Sequence, residues 1–150
     1  MLRDGRVLLV VLLVLASSCV TMDPPAGYVR LRNPGPYEMK AVSARGQVIA
    51  LSSRANEDSK ADLKFWSDAV EYQKATLDGL KPIGRETVRS ERGLDGTLLT
   101  FESGEGQGKM TYLVALFVTP SRIHTIEAAG PAVDLKTDME KLRKSILSLR

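Results

Sequence analysis

The chain has 150 residues and a mass of 16.4 kDa, the size of a single domain. Apolar residues make up 43% and charged residues 26%, which excludes a disordered or collagen-like chain. The net charge is +3 with scattered cations rather than the dense cluster of a nucleic-acid binder, and one Cys and one His exclude both a disulfide framework and a Cys/His zinc site within one chain.

The chain opens with Arg3 and Arg6 around Asp4, then an unbroken apolar run over residues 7–15. As a helix that run spans roughly 14 Å, about half a bilayer core, too short to cross a membrane and right for the apolar region of a signal peptide. Small residues follow, Ala16-Ser17-Ser18, and then Cys19. The string Leu15-Ala16-Ser17-Ser18-Cys19 resembles the lipobox of bacterial lipoproteins, with Ala16 where Leu is commonest. The resemblance implies a signal peptide over residues 1–18 and cleavage between Ser18 and Cys19. It implies that the Cys19 thiol receives a diacylglycerol and that the new amine is acylated, palmitate being one such chain. Two or three acyl chains would hold the protein at a membrane of the cell envelope. Val20 stands where an Asp would resemble an inner-membrane retention signal, which points to the outer membrane, facing the periplasm. The rival reading is an ordinary signal peptide with an incidental Cys.

Residues 19–27 read as the lipidated Cys and a short linker stiffened by Pro24-Pro25, and residues 28–150 as one domain. Val29 and Leu31 alternate with Tyr28, Arg30 and Arg32 as in a strand, and Asn33-Pro34-Gly35-Pro36 turns the chain. Residues 37–44 and 47–52 flank Arg45-Gly46 as a hairpin. The spacing of Leu63, Trp66, Val70 and Leu77, with Phe65, Ala69 and Tyr72 beside them, predicts a helix over 59–78, capped by Asp58 or Ser59 and stopped by Gly79. Residues 83–91 alternate but carry Arg85, Glu86, Arg89 and Glu91, the charge pattern of an edge strand. Residues 97–103 and 109–119 flank a glycine-rich turn, and Pro120-Ser121 leads into a strand over 122–129. Links this short predict antiparallel pairing. Met110, Tyr112, Val114, Leu116 and Val118 lie on one face of their strand and Leu113, Ala115 and Phe117 on the other, so this strand is central and covered on both sides. A last helix from about Asp134 presents Leu135, Met139, Leu142, Ile146 and Leu149 on one face. The predicted fold class is α+β: an antiparallel sheet of six to seven strands with a helix on each face, an α/β/α sandwich.

That element order resembles the PsbP/Mog1/DcrB-like superfamily. The residues that carry the resemblance are Gly27-Tyr-Val-Arg-Leu31, Phe65-Trp66, Gly96-Thr-Leu-Leu-Thr-Phe101, Tyr112-Leu-Val-Ala-Leu-Phe117, Ile123-His-Thr-Ile-Glu127 and the closing helix. The resemblance covers residues 27–150 and implies a non-enzymatic domain used in assembly, binding or maintenance. It supplies no shared catalytic motif, so no functional residue beyond Cys19 is implied.

The remaining constellations have plain structural readings. Gly104-Glu105-Gly106-Gln107-Gly108 lies between two strands rather than before a helix, and Glu105 would repel phosphate, so it reads as a hairpin loop. His124 stands alone, with only Ser121 and Glu127 as local candidates for a catalytic grouping. The carboxylate pairs Glu57/Asp58, Glu102/Glu105 and Asp134/Asp138 fall at helix starts and loops, where acids cap and solubilise. Glu102, Glu105 and Asp95 lack the spacing of a calcium loop. Trp66 reads as core, with an exposed anchor for a partner as the rival. The sequence therefore predicts no catalytic, cofactor-binding or metal residues. It predicts a lipid-anchored, non-catalytic envelope module that contacts the membrane and an envelope protein, not nucleic acid. The alternative is a small-ligand or lipid binder using a cleft between sheet and helix near Trp66 or Tyr72.

Overall fold

The computed structural model describes residues 20–150. The lipobox, Cys19 and the cleavage point lie outside the described residues. Seven strands form one sheet: β1 (Tyr28–Arg30), β2 (Met39–Ser43), β3 (Val48–Ala55), β4 (Lys81–Arg89), β5 (Asp95–Ser103), β6 (Met110–Val118) and β7 (Arg122–Pro131). The spatial order is β1-β2-β3-β7-β6-β5-β4, and every neighbouring pair is antiparallel. Helix α1 (Leu63–Tyr72) follows β3, and α2 (Ala132–Leu147) closes the chain. This is the predicted α+β sandwich, with one helix on each face.

The strand alternation explains the layers. On the first face Tyr28, Met39, Ile49, Leu51, Val88, Leu98, Leu113, Phe117 and Ile126 pack against Leu135, Leu142 and Ile146 of α2. On the second face Leu99, Phe101, Val114, Leu116 and Ile123 pack against Leu63, Trp66 and Val70 of α1. β6 feeds both cores, as a doubly apolar strand must. Phe117 is fully buried and lies flat over Gly96 across the β5–β6 ladder; a Cβ on Gly96 would sit 2.5 Å from its ring.

β4 is an edge strand, as its charges predict. Those charges also clamp it to both helices. Arg85 reaches Asp68 at 2.8 Å and Glu71 at 2.7 Å on α1, and Glu86 receives Arg143 of α2 at 2.7 Å.

Two expectations for the first helix need correction. The first helix starts later than predicted: Asp62, not Asp58 or Ser59, is its N-cap and accepts from the Phe65 amide at 2.9 Å. Asp58 instead closes the preceding turn by accepting from the Lys60 amide. The apolar stripe is also narrower than predicted. Phe65, Tyr72 and Leu77 are 55%, 65% and 73% exposed. Phe65 and Tyr72 lie on the flank of the stripe, and residues 73–77 form a π-helical turn whose extra residue carries Leu77 out of phase.

Residues 20–27, read from sequence as a linker, lie docked along α2. Met22 is 1% exposed and belongs to the first core, and Val20 packs beside it. Thr21 and Arg150 exchange both backbone hydrogen bonds, at 2.8 and 3.0 Å. The Asp23 amide donates to Ser148 Oγ at 2.8 Å, its carbonyl accepts from Ser145 Oγ, and its carboxylate holds the Arg150 guanidinium at 2.7 Å.

Two substitutions test this packing. Leu142 is fully buried, so Leu142→Asp places an unpaired charge in the first core and should cost about 3–5 kcal/mol by denaturant unfolding. Ser67 of α1 is fully buried and its Oγ has no partner, so Ser67→Ala should be neutral or stabilising by up to about 1 kcal/mol. A loss on Ser67→Ala would show a hydrogen bond absent from this packing.

Candidate functional site

The two sheet faces are covered unequally. The first core draws on every strand of the sheet, whereas strand residues of the second core come only from β5, β6 and β7. The second face of β1, β2 and β3 therefore has no helix above it. By register it carries Val29, Val42, Val48, Ala50, Ser52 and Arg54, and Val29 is 68% exposed. The flank of α1 runs beside this open area along β7. Trp66 marks one end of that flank, near Arg54, and Lys74 marks the other, near Glu127. The result is a trough with small residues on its floor and a helix as one wall.

At the first end the Trp66 indole N–H donates to Asn56 Oδ1 at 3.2 Å. Asn56 is itself fixed by donating to the Ala61 and Thr119 carbonyls. The Arg54 guanidinium lies 4.6 Å from the centre of the indole, and Phe65 meets it edge-on at 5.3 Å. Trp66 is thus half-buried, packed on the second core with Arg54 over its ring. Its cleft holds about 500 Å³ and is lined by Arg54, Glu57, Asp58 and Phe65.

At the second end Tyr112 donates to Glu127 Oε1. Lys74 Nζ lies 3.6 Å from the same carboxylate, 3.2 Å from Asp78 and 4.8 Å from the centre of the Tyr112 ring. Burial first, then the Glu127 hydrogen bond and charge, push the Tyr112 phenol far above its ordinary range. Tyr37 and Lys40 form the opposite wall, over a floor of Val48, Ala50 and Ala129, and the cleft holds about 160 Å³. Phenol, carboxylate and ammonium satisfy one another here. The arrangement suits recognition: a small-residue floor, aromatic walls and charges at the rim.

The residues singled out in the sequence fall elsewhere. His124 lies on the first face, where its Nδ1 is 3.0 Å from Ser53 Oγ on the neighbouring strand. Neither Ser121 nor Glu127 is its partner: Ser121 sits in the β6–β7 turn, and Glu127, at opposite parity on β7, points to the second face. Burial, and then Arg122, pushes the His124 pKa below its ordinary value. The Gly104–Gly108 segment caps the β5–β6 hairpin with a short 3-10 turn. Glu102 pairs with Lys109 at 2.6 Å and Asp95 with Arg89 at 2.8 Å, at opposite ends of β5. Among the described residues no group of His, Cys, Asp and Glu converges as a metal site.

Sequence reasoning missed the role of Asp138. Its carboxylate is buried under the β2–β3 turn and receives the Gln47 amide at 2.9 Å, Tyr28 Oη at 3.3 Å, Arg45 at 3.2 Å and Lys141 at 3.3 Å. Gln47 fits because Gly130 lacks a side chain; a Cβ there would lie 2.7 Å from Gln47 Cγ. Burial alone would raise the Asp138 pKa, but the Gln47 hydrogen bond, Lys141 and Arg45 hold it below the ordinary value. Burial, followed by Asp138, pushes the Tyr28 phenol up to about 12. The signal was present: Leu135, Asp138, Leu142 and Ser145 share one buried helix face.

No protein-family model matches the chain, and no curated protein matches it. Solved structures do share its fold. LpqN, described as involved in cell envelope biogenesis of Mycobacterium tuberculosis, is 16% identical, with 87% of this chain and 81% of that one covered at a TM-score of 0.65. The cyanobacterial PsbP of Synechocystis is 13% identical, with 87% and 91% covered at 0.59. A protein from Bacteroides thetaiotaomicron is 10% identical at 0.61, and this chain spans 45% of its length. These likenesses show a PsbP-like fold.

The depressed Asp138 pKa has a definite sign. The stability it contributes is complete above the ordinary carboxylate pKa of about 3.9 and is lost as pH falls through the lower folded value. Thermal melts between about pH 5 and 2 should therefore show a steeper loss for the native chain than for Asp138→Asn. At neutral pH, Asp138→Ala should cost about 2–3 kcal/mol, because Gln47 and Tyr28 lose their buried acceptor.

Proposed function

We propose that this chain is a membrane-tethered, non-catalytic lipoprotein of the bacterial cell envelope, lipidated on Cys19 after cleavage at Ser18, that binds an envelope protein as an assembly or maintenance module. The observation that carries the reading is the half-covered second face: a trough of small residues beside a helix that exposes Phe65 and Tyr72. Aromatic side chains of this kind supply rigid, amphipathic contact area, and their exposure costs stability that a partner would recover. The tether adds to this by confining the module to a thin layer, so a weak interface becomes well occupied. LpqN, which shares the fold, is described as acting in envelope biogenesis, and that description fits the same role here. Val20 after the Cys, where an Asp would resemble an inner-membrane retention signal, supports an anchor in the outer membrane, facing the periplasm. Among the described residues no helix is long and apolar enough to cross a membrane, and attachment in this reading is by the lipid on Cys19.

A second reading rests on the Trp66 cleft. Its volume of about 500 Å³ suits a small ligand, and its lining mixes the apolar Ala55, Ala61, Phe65 and Trp66 with the charged Arg54, Glu57 and Asp58. Trp66 is the sole Trp of the chain, so its fluorescence reports on that cleft.

In-cell crosslinking of the full chain with recovery and mass spectrometry tests the first reading. A specific envelope protein should be recovered, and its yield should fall several-fold with Phe65→Ala/Tyr72→Ala, both exposed positions, in variants whose thermal melts match the native chain. Cys19→Ala should move the protein from the membrane to the soluble fraction; retention after a carbonate wash overturns the anchor. A blank crosslink together with a co-purifying small molecule that shifts Trp66 emission favours the second reading.

A further inference from the structure

We propose that one particular end of the domain rests on the lipid surface: the end that carries the C-terminus, the β4–β5 turn and the β6–β7 turn. The inference rests on the reading that Cys19 is lipidated, and it adds the orientation which that anchor imposes.

The docked N-terminal segment removes the slack. A free linker over residues 19–27 would let the domain drift by up to about 30 Å when extended. Here Thr21 is pinned to Arg150 by two backbone hydrogen bonds, Asp23 is pinned to Ser145, Ser148 and Arg150, and Met22 is buried between them. Only Val20 separates Thr21 from Cys19, so the lipidated residue stays within about 7 Å of the pinned backbone.

The direction follows from the contacts. The segment runs antiparallel to α2: Thr21 lies beside Arg150, Asp23 beside Ser148, and Tyr28 beside Asp138. The anchor therefore leaves at the C-terminal end of α2. The β4–β5 turn is at the same end, since the Glu91 amide donates to the Leu147 carbonyl at 2.8 Å. The β6–β7 turn is there too, because Gly96, at the start of β5, faces Phe117, near the end of β6. Ser121 of that turn accepts from the Asn56 amide, which brings in the end of β3.

This end is charged with both signs. Arg89 pairs with Asp95 and Arg150 with Asp23. Among the described residues Arg92, Arg122 and Lys144 make no ion pair there, and neither do Glu91, Glu57 and Asp58. Such a surface meets headgroups rather than inserting, and the anchor, not a basic patch, holds it down. The Gly104–Gly108 hairpin tip and the Arg45-Gly46 turn lie at the far end of the strands, about 30 Å away along β6. The trough then runs away from the membrane, with its Trp66 end near the lipid and its Tyr112 end distant.

The chain is suited to a direct test, because with Cys19 lipidated an added cysteine is the only free thiol. Full-length protein would carry Arg92→Cys or Glu105→Cys, both exposed positions, each labelled with a fluorophore. In phosphatidylethanolamine/phosphatidylglycerol vesicles containing headgroup spin-labelled lipid, the label at position 92 should be quenched several-fold more than that at 105. A flexible Gly/Ser insertion between Cys19 and Val20 should abolish the difference. Lipid mass on Cys19 with equal quenching at both positions overturns the orientation alone. No lipid mass on Cys19 overturns the anchoring reading and the orientation with it.

Discussion

An antiparallel sheet this wide has two apolar faces, and the chain supplies one helix for each. Coverage of the two faces is the constraint on which the rest of the structure depends. On the first face α2 lies over the sheet, and the N-terminal segment extends its cover through Met22. On the second face α1 spans only the half built from β5, β6 and β7. The half built from β1, β2 and β3 carries no Leu, Ile or aromatic residue on this face; by register it carries Val29, Val42, Val48, Ala50 and Ser52, with Arg54 at one end. The trough is thus what remains when a single helix must serve half of a broad sheet.

The same constraint explains the polar clusters that bind layer to layer. Asp138 ties α2 to β1 and to the β2–β3 turn, at the part of the first face farthest from β6. Arg85 and Glu86 tie the opposite edge to α1 and α2. The buried carboxylate matters more than the exposed pairs. Its buried partners Gln47 and Tyr28 have no water to replace it, whereas ions at the edge exchange readily with solvent. Tyr112, Glu127 and Lys74 do comparable work where the end of the first helix meets β7.

The docked N-terminus connects this architecture to function. A tether that ends on a rigid body transmits orientation, whereas a flexible linker transmits only proximity. With the proposed lipid on Cys19, the C-terminal end of α2, where Arg150 closes on Thr21 and Asp23, would be the joint between membrane and module. A partner that must meet the trough would meet it at a defined height and angle.

Much of this was legible in the sequence because periodicity reports which face of an element is apolar. The double-sided pattern of residues 110–118 determined a central strand, the charges at Arg85, Glu86 and Arg89 an edge, and the steps from Leu135 to Leu149 a helix face. Periodicity does not report how much of a face will be covered, since that depends on the width of the sheet against the width of a helix. Phe65 and Tyr72 look like core in one dimension and are exposed in three. Nor does a local window report pairings between distant residues. The docking of Asp23 on Ser145 and Ser148, and the burial of Asp138 beneath Gln47 and Tyr28, arise only when the ends of the chain meet. Sequence alone thus determined the elements, their order and the faces they present. The tertiary structure decided which faces stay open, which acid is buried and where the chain leaves the fold, because those depend on contacts made across the whole length of the chain.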